Sequence, residues 1–286
     1  MSIKSAVQIV DATVGVAAKH MNTGEEICER GGEVFFTAST FKIPILIELY
    51  KQIDAGVLSA DSRMEITDRH RAPGSGVVKE LSNGLNPTVH DLATLMIIIS
   101  DNTATDMLYD LVGRECLNKT MQELGLRKTN LPMSCREMLY SMYGVETDDI
   151  ADAEAQVADR RSKEQVVDGA PGASLDYSDV SSPNDMVKLL ELLYGGAILS
   201  SSSRDSVLRI MARQQLNTII PYLLPTGTRI AHKTGGVTGV RCDVGIVYAP
   251  SGPYAVAIMA RDVIDCNKID NQLAEISATV YRHFES

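Results

Sequence analysis

Segments that read as β-strands lie at the two ends of this chain, and almost everything between them reads as helix or loop. Residues 13–18 alternate toward a strand, and Met21-Asn22-Thr23-Gly24-Glu25 supplies turn residues before a short second strand over 26–28. The pattern returns only after Thr228. There 229–233, 242–249 and 254–260 read as strands divided by turns containing glycine and proline, and 269–284 closes as a helix. Strands at both termini with helices between them predict one antiparallel sheet split by a helical insertion. The expected fold class is therefore α/β of the α+β type: an antiparallel sheet flanked by helices, formed by both chain ends, with an all-helical domain inserted. Residues 1–56 and 184–286 are expected to form the sheet domain, and 57–183 the helical one.

The interior supports that division. An apolar run over 43–49 reads as a buried helix that starts at Ser39, continues to about Ala55 and stops before Gly56. Residues 61–87 are loop-rich, with Pro73-Gly74-Ser75-Gly76 the clearest irregular stretch. Thr88 or His90-Asp91 caps an apolar helix over 92–100, and 103–112 and 116–124 read as two more, punctuated by Gly113 and Gly125. Residues 145–180 differ in composition, with ten acidic residues against three basic ones. Their first half, 147–163, suits a solvated helix and the rest a loop. A surface insertion is the expectation, and a lid over a site the alternative. Helices over 184–194 and 203–214 follow.

Composition narrows the function classes. A hydrophobic content of 44% and a charged content of 22% are those of an ordinary soluble protein, and 286 residues can bury a sizeable core. The formal net charge of −10 argues against nucleic acid or anionic membrane as a partner. The apolar runs at 43–49 and 92–99 are too short to span a bilayer. The first residues carry no secretory signal, so the expected location is cytoplasmic as written, and periplasmic or secreted only if a leader has been removed. Cys28, Cys116, Cys135, Cys242 and Cys266 are odd in number, scattered and without C-x-x-C spacing. They read as reduced thiols, and no metal or cofactor is expected.

Three short motifs carry the chemistry. Ser39-Thr40-Phe41-Lys42 sets a hydroxyl and an amine three residues apart, on one face of a helix. A serine needs an adjacent base to act as a nucleophile, and a lysine serves if burial or a nearby cation favours its neutral form. Ser100-Asp101-Asn102 follows at the end of an apolar helix, and Lys233-Thr234-Gly235 at the end of an expected strand. S-x-x-K, S-D-N and K-T-G in this order are the signature of class A β-lactamases and penicillin-binding proteins.

The chain thus resembles the class A β-lactamase-like serine hydrolase family, within the β-lactamase/penicillin-binding protein superfamily. FFTASTFKIPIL, DLATLMIIISDNTATDML, SSPNDMVKLL and HKTGGVTGVR look like family segments. The resemblance implies that Ser39 is the nucleophile of an acyl-transfer reaction and that Lys42 takes or relays its proton. It implies that Ser100 passes a proton to the leaving nitrogen and that Asn102 holds the substrate's side-chain amide and steadies Lys42. Lys233 would raise the positive potential near Ser100 and the substrate carboxylate, with Thr234 contacting that carboxylate and Gly235 also on the substrate side, and Asp101 would be structural. The main-chain N–H groups of Ser39 and Gly236 would form the oxyanion hole. Arg241 resembles an arginine that binds the substrate carboxylate, although its spacing is one residue short. Ser75, in the 71–77 loop, is a candidate substrate contact.

One departure from the family pattern bears on turnover. Family members carry a glutamate, within E-x-x-L-N, that activates the deacylating water. The matching stretch here, 129–143, places Cys135 or Arg136 at that station, with Glu137 nearby and no Leu-Asn following. Glu137 or an acid in 145–180 is expected to substitute for it; otherwise deacylation is slow. The expected substrate is a small amide, β-lactam or ester bearing a carboxylate. The alternatives are a non-turnover penicillin-binding or sensing protein acylated at Ser39, and an esterase or DD-peptidase-like enzyme.

Overall fold

A computed structural model describes residues 2–286, apart from the side chains of Cys266 and Asn267, so the expected Cys266 thiol lies outside the described residues. A short helix, α1 (Ile3–Gln8), leads to β1 (Thr13–His20), β2 (Glu26–Glu29) and the two-residue β3 (Phe35–Phe36). The middle of the chain holds α2 (Lys42–Asp54), α3 (Val89–Ile98), α4 (Asn102–Val112), α5 (Arg114–Glu123), α6 (Cys135–Tyr143) and α7 (Ile150–Ser162). After β4 (Val180–Ser181) come α8 (Pro183–Tyr194) and α9 (Ser201–Met211). The chain ends with β5 (Arg229–Val237), β6 (Val240–Ala249), β7 (Gly252–Arg261) and α10 (Cys266–Phe284).

Both chain ends meet in one antiparallel five-stranded sheet, ordered β2-β1-β7-β6-β5, as the α+β reading requires. β1 pairs with β7 from Thr13↔Arg261 to His20↔Tyr254. The central strand is apolar on both faces. Ala255, Ala257 and Met259 join the core beneath the helical layer, while Tyr254, Val256, Ile258 and Ala260 join the core under α10. A strand covered on both sides has no solvated face, so it shows a continuous apolar run in place of alternation.

α2 is buried along its whole apolar run and packs against α3, α4, α5 and α9. The sequence reading grouped α2 with the sheet; by packing it is the axis of the helical layer. It reaches both, because its N-terminal turn lies against β5 and β6.

Three local readings change. The stretch aligned with a family loop contains α6, whose Ser134 and Glu137 form a reciprocal capping box. The S-x-x-E spacing was already a helix-start signal. The Lys233-Thr234-Gly235 motif lies within β5, not at its end. The acidic insertion forms α7, capped by Asp149, but Ala153 and Val157 are buried and α7 packs on α6. It is not a freely solvated helix. Cys28 and Cys116 are exposed thiols, and Cys135 and Cys242 buried ones.

Asp101 joins the loop before α3 to the start of α4. Its Oδ1 accepts from the Ala104 N–H at 2.9 Å, while Oδ2 accepts from the Val77 and Val78 N–H groups at 2.6 and 2.9 Å. The side chain is wholly buried, so removal leaves donors without partners. Asp101→Ala is expected to lower unfolding free energy by about 2–4 kcal/mol in urea titrations, and Asp101→Asn, which keeps one acceptor, by less.

Candidate active site

The Ser39 segment is built on strain. Ala38, directly before it, has a left-handed φ of 41°, and Ser100 one of 59°. Non-glycine residues held there cost on the order of 1–3 kcal/mol each and persist where the surroundings over-determine them. Ser39 itself lies in a 3-10 turn spanning Ala38–Phe41, and Lys42 is the first residue of α2. The turn is tied down by Thr40 Oγ1, which donates to Thr37 O at 2.7 Å, and by Thr37 N–H, which donates to Asp179 O at 3.0 Å.

β5 crosses this turn at its motif. A Cβ on Gly235 would lie 2.8 Å from Thr37 O, 3.0 Å from Ser39 N and 3.1 Å from Thr40 N. Only glycine permits that approach of strand main chain to turn main chain. The third motif is thereby pressed against the first.

Lys42 joins the first motif to the second. Its Nζ donates to Ser100 O at 2.8 Å, to Ser100 Oγ at 3.1 Å and to Asn102 Oδ1 at 2.8 Å. The amine has no solvent exposure. Burial pushes it below the ordinary lysine range, opposed by the charges of Cys135, Asp101 and Asp106. Lys233 is equally buried and donates to Thr234 O at 2.7 Å. Burial lowers it well below its usual range, and the positive charge of Lys42 lowers it further.

Asn102 is held from three directions. Its N–H donates to Ser75 O at 2.9 Å, its Nδ2 to Pro73 O at 2.8 Å, and its Oδ1 receives Lys42. Ser75 meets the motif through its carbonyl, and its side chain is exposed. Thr234 is nearly buried and pairs in register with Asp243, and Gly236 pairs with Arg241. The Arg241 guanidinium folds over Gly236 and donates to Val237 O and Val240 O at 3.1 and 2.8 Å. It also forms an ion pair with Asp270 of α10 at 3.4 Å. Arg241 thus braces the β5–β6 hairpin.

Glu137 corrects an expectation. Its Oε2 receives Ser134 N–H at 2.8 Å, and both oxygens receive Arg114 at 2.7 and 2.6 Å. With both oxygens spent on a helix cap and an ion pair, Glu137 serves the start of α6. The same segment contributes the buried Cys135, whose thiol burial pushes well above its ordinary value. Behind it Asp106 accepts from Cys135 N–H at 2.7 Å and Arg136 N–H at 2.9 Å, and burial raises its carboxyl to about 6. Asp106 was not singled out in the sequence, where it is one acid among many on an amphipathic helix.

Comparison with known proteins agrees with this geometry. A family model described as the beta-lactamase enzyme family matches residues 2–284. The chain is 26% identical to beta-lactamase AER-1 of Aeromonas hydrophila over 90% of its own length and 76% of that protein. The solved β-lactamase of Sphaerobacter thermophilus superposes with a TM-score of 0.83 at 28% identity, covering 99% of this chain and 97% of that one. PBP-A superposes with a TM-score of 0.82 at 29% identity, covering 99% and 94%. A glutamate-substituted variant of PBP-A has been solved as an acyl-enzyme complex with penicillin G.

The depressed lysines carry a sign. Lysines deprotonated more readily when folded take up protons on unfolding, so stability rises with pH between their lowered values and the ordinary value near ~10.4. Urea unfolding between neutral pH and about pH 9.5 is expected to show that rise, and Lys233→Met to flatten it. A slope unchanged in the variant would contradict the assignment of Lys233 as one of the depressed groups.

Proposed function

The chain belongs to the beta-lactamase enzyme family, and from that premise we propose that it is an active-site-serine hydrolase that works through an acyl-enzyme at Ser39. The substrate class is a small β-lactam, amide or ester that bears a carboxylate. The observation that carries the reading is the Lys42 amine, fully buried and bonded at once to both oxygens of Ser100 and to Asn102. A neutral amine has two N–H bonds and one lone pair. With Ser100 O and Asn102 Oδ1 taking the two hydrogens, the lone pair can accept a proton.

Ser39 Oγ attacks the carbonyl carbon, its proton passes to Lys42, and the carbonyl oxygen becomes an oxyanion. That charge is met by the Ser39 N–H at the start of the turn and by the Gly236 N–H on β5. As the C–N or C–O bond breaks, the proton is relayed from Lys42 through Ser100 Oγ to the leaving atom. Lys233 and Thr234 receive the substrate carboxylate, with Asn102 Nδ2 offering its second hydrogen to a side-chain carbonyl. Arg241 is already paired with Asp270 and contributes by bracing the hairpin.

Deacylation is read as the slow step. Glu137 is committed to Ser134 and Arg114, and burial holds the Cys135 thiol at the head of α6 well above its ordinary value. The second reading is a penicillin-binding protein that holds its acyl group, and the commitment of Glu137 to Ser134 and Arg114 is the observation that motivates it.

Intact-mass measurements with benzylpenicillin, a chromogenic cephalosporin and p-nitrophenyl esters distinguish the outcomes. A covalent adduct on Ser39 is expected within minutes, and Ser39→Ala is expected to form none. A Ser39→Ala variant as reactive as the parent would remove the mechanism. Cys135→Glu, which adds a carboxylate beside Lys42, is expected to shorten the adduct lifetime by at least about tenfold, the scale of general-base assistance. An unchanged lifetime would show that a missing carboxylate does not limit turnover.

A further inference from the structure

α7 belongs to the acidic insertion, yet one of its side chains reaches the loop that holds Asn102. Glu154 Oε2 accepts the Gly74 N–H at 2.7 Å, and Oε1 forms an ion pair with Lys79 Nζ at 2.8 Å. The same Lys79 Nζ donates to Gly74 O at 2.7 Å. Glu154 and Lys79 therefore grip both polar groups of one glycine. The Lys79 side chain is 10% exposed and that of Glu154 35%, so the pair is partly withdrawn from water. Such a charge-assisted contact is stronger than an exposed one.

Gly74 leads directly to the site. A Cβ on it would lie 2.9 Å from Asn102 Nδ2, and its φ of 90° suits glycine alone. The preceding carbonyl, Pro73 O, accepts from Asn102 Nδ2, and the following one, Ser75 O, from Asn102 N–H. An amide side chain has two orientations, and the bond to Pro73 O selects the one that turns Oδ1 to Lys42. α7 is itself anchored, with Ala153 and Val157 buried and Arg136 of α6 paired with Asp148 at 3.1 Å.

We propose that Glu154 and Lys79 are positioning residues, a clasp by which the inserted helix fixes the Asn102 amide for substrates bearing an acylamino side chain. The proposal rests on the reading of Ser39 as the acylated residue. A substrate with an amide beside the scissile carbonyl needs the free hydrogen of Asn102 Nδ2 in place. A simple ester such as p-nitrophenyl acetate has no group to receive it and depends on Ser39, Lys42 and the oxyanion donors alone.

The test compares the two substrate types. Glu154→Ala and Lys79→Met are each expected to slow acylation by benzylpenicillin about tenfold and by p-nitrophenyl acetate less than about twofold. The double variant is expected to lose little more than either single one, as partners in one contact do. Penicillin acylation at the parent rate in both single variants overturns the clasp. So does an equal loss on both substrates, which marks a merely structural role. If the parent reacts with neither substrate, the hydrolase reading falls, and amide hydrogen exchange then judges the clasp alone. Faster exchange at Gly74 in Glu154→Ala supports it, and unchanged exchange overturns it.

Discussion

The burial of the Lys42 amine is the constraint on which the rest of this structure depends. A lysine fully removed from water is costly unless every direction it can donate in meets an acceptor. Here the carbonyl of Ser100 and the amide oxygen of Asn102, each 2.8 Å away, take the hydrogens of the amine, and the Ser100 hydroxyl lies 3.1 Å from it. Those acceptors must be held in place, and much of the surrounding architecture does so. Asp101 fixes the loop on either side, Pro73 and Ser75 hold Asn102, and Ser100 adopts a left-handed backbone that directs its carbonyl inward. Removing any of these supports leaves a buried amine with an empty direction.

The second amine deepens that cost. Lys233 arrives on β5, which the glycine at 235 allows to pass against the Ser39 turn, and burial, with the charge of Lys42 added, depresses it. Burying both amines disfavours their charged forms, which is a cost to stability below their ordinary range. The strained residues Ala38 and Ser100 add to the same expense. Sites of this kind are where local rules are broken in exchange for reactivity.

Much of the site was legible because its parts are short and local. Ser39 and Lys42 declare themselves by spacing, and the family resemblance marks Asp101 as structural. The close approach of Gly235 to the Ser39 turn was not legible, because the motif read as a strand end. α3 and α4 were legible from apolar periodicity and from Thr88 and Gly113 at their ends, to within a few residues. α6 was missed although Ser134 and Glu137 have capping-box spacing, because resemblance to a loop outweighed the local signal. Glu137 is part of that cap, with Arg114 on both of its oxygens. The contact of Glu154 with Gly74 spans 80 residues of chain, and no periodicity reports it.

By itself the sequence determined the chemistry available: a hydroxyl beside an amine, two further motifs in order, and strands at both ends that must meet. Those are properties of neighbouring residues, set by helix and strand periods and by the preferences of caps and turns. Only the tertiary structure decided how the groups are used. It buried Lys42 and Lys233, committed Glu137 to Arg114, turned Arg241 onto Asp270 and brought the acidic helix onto the loop behind Asn102. Burial and long-range pairing depend on how elements pack across the whole chain, and packing is a property that no local pattern carries.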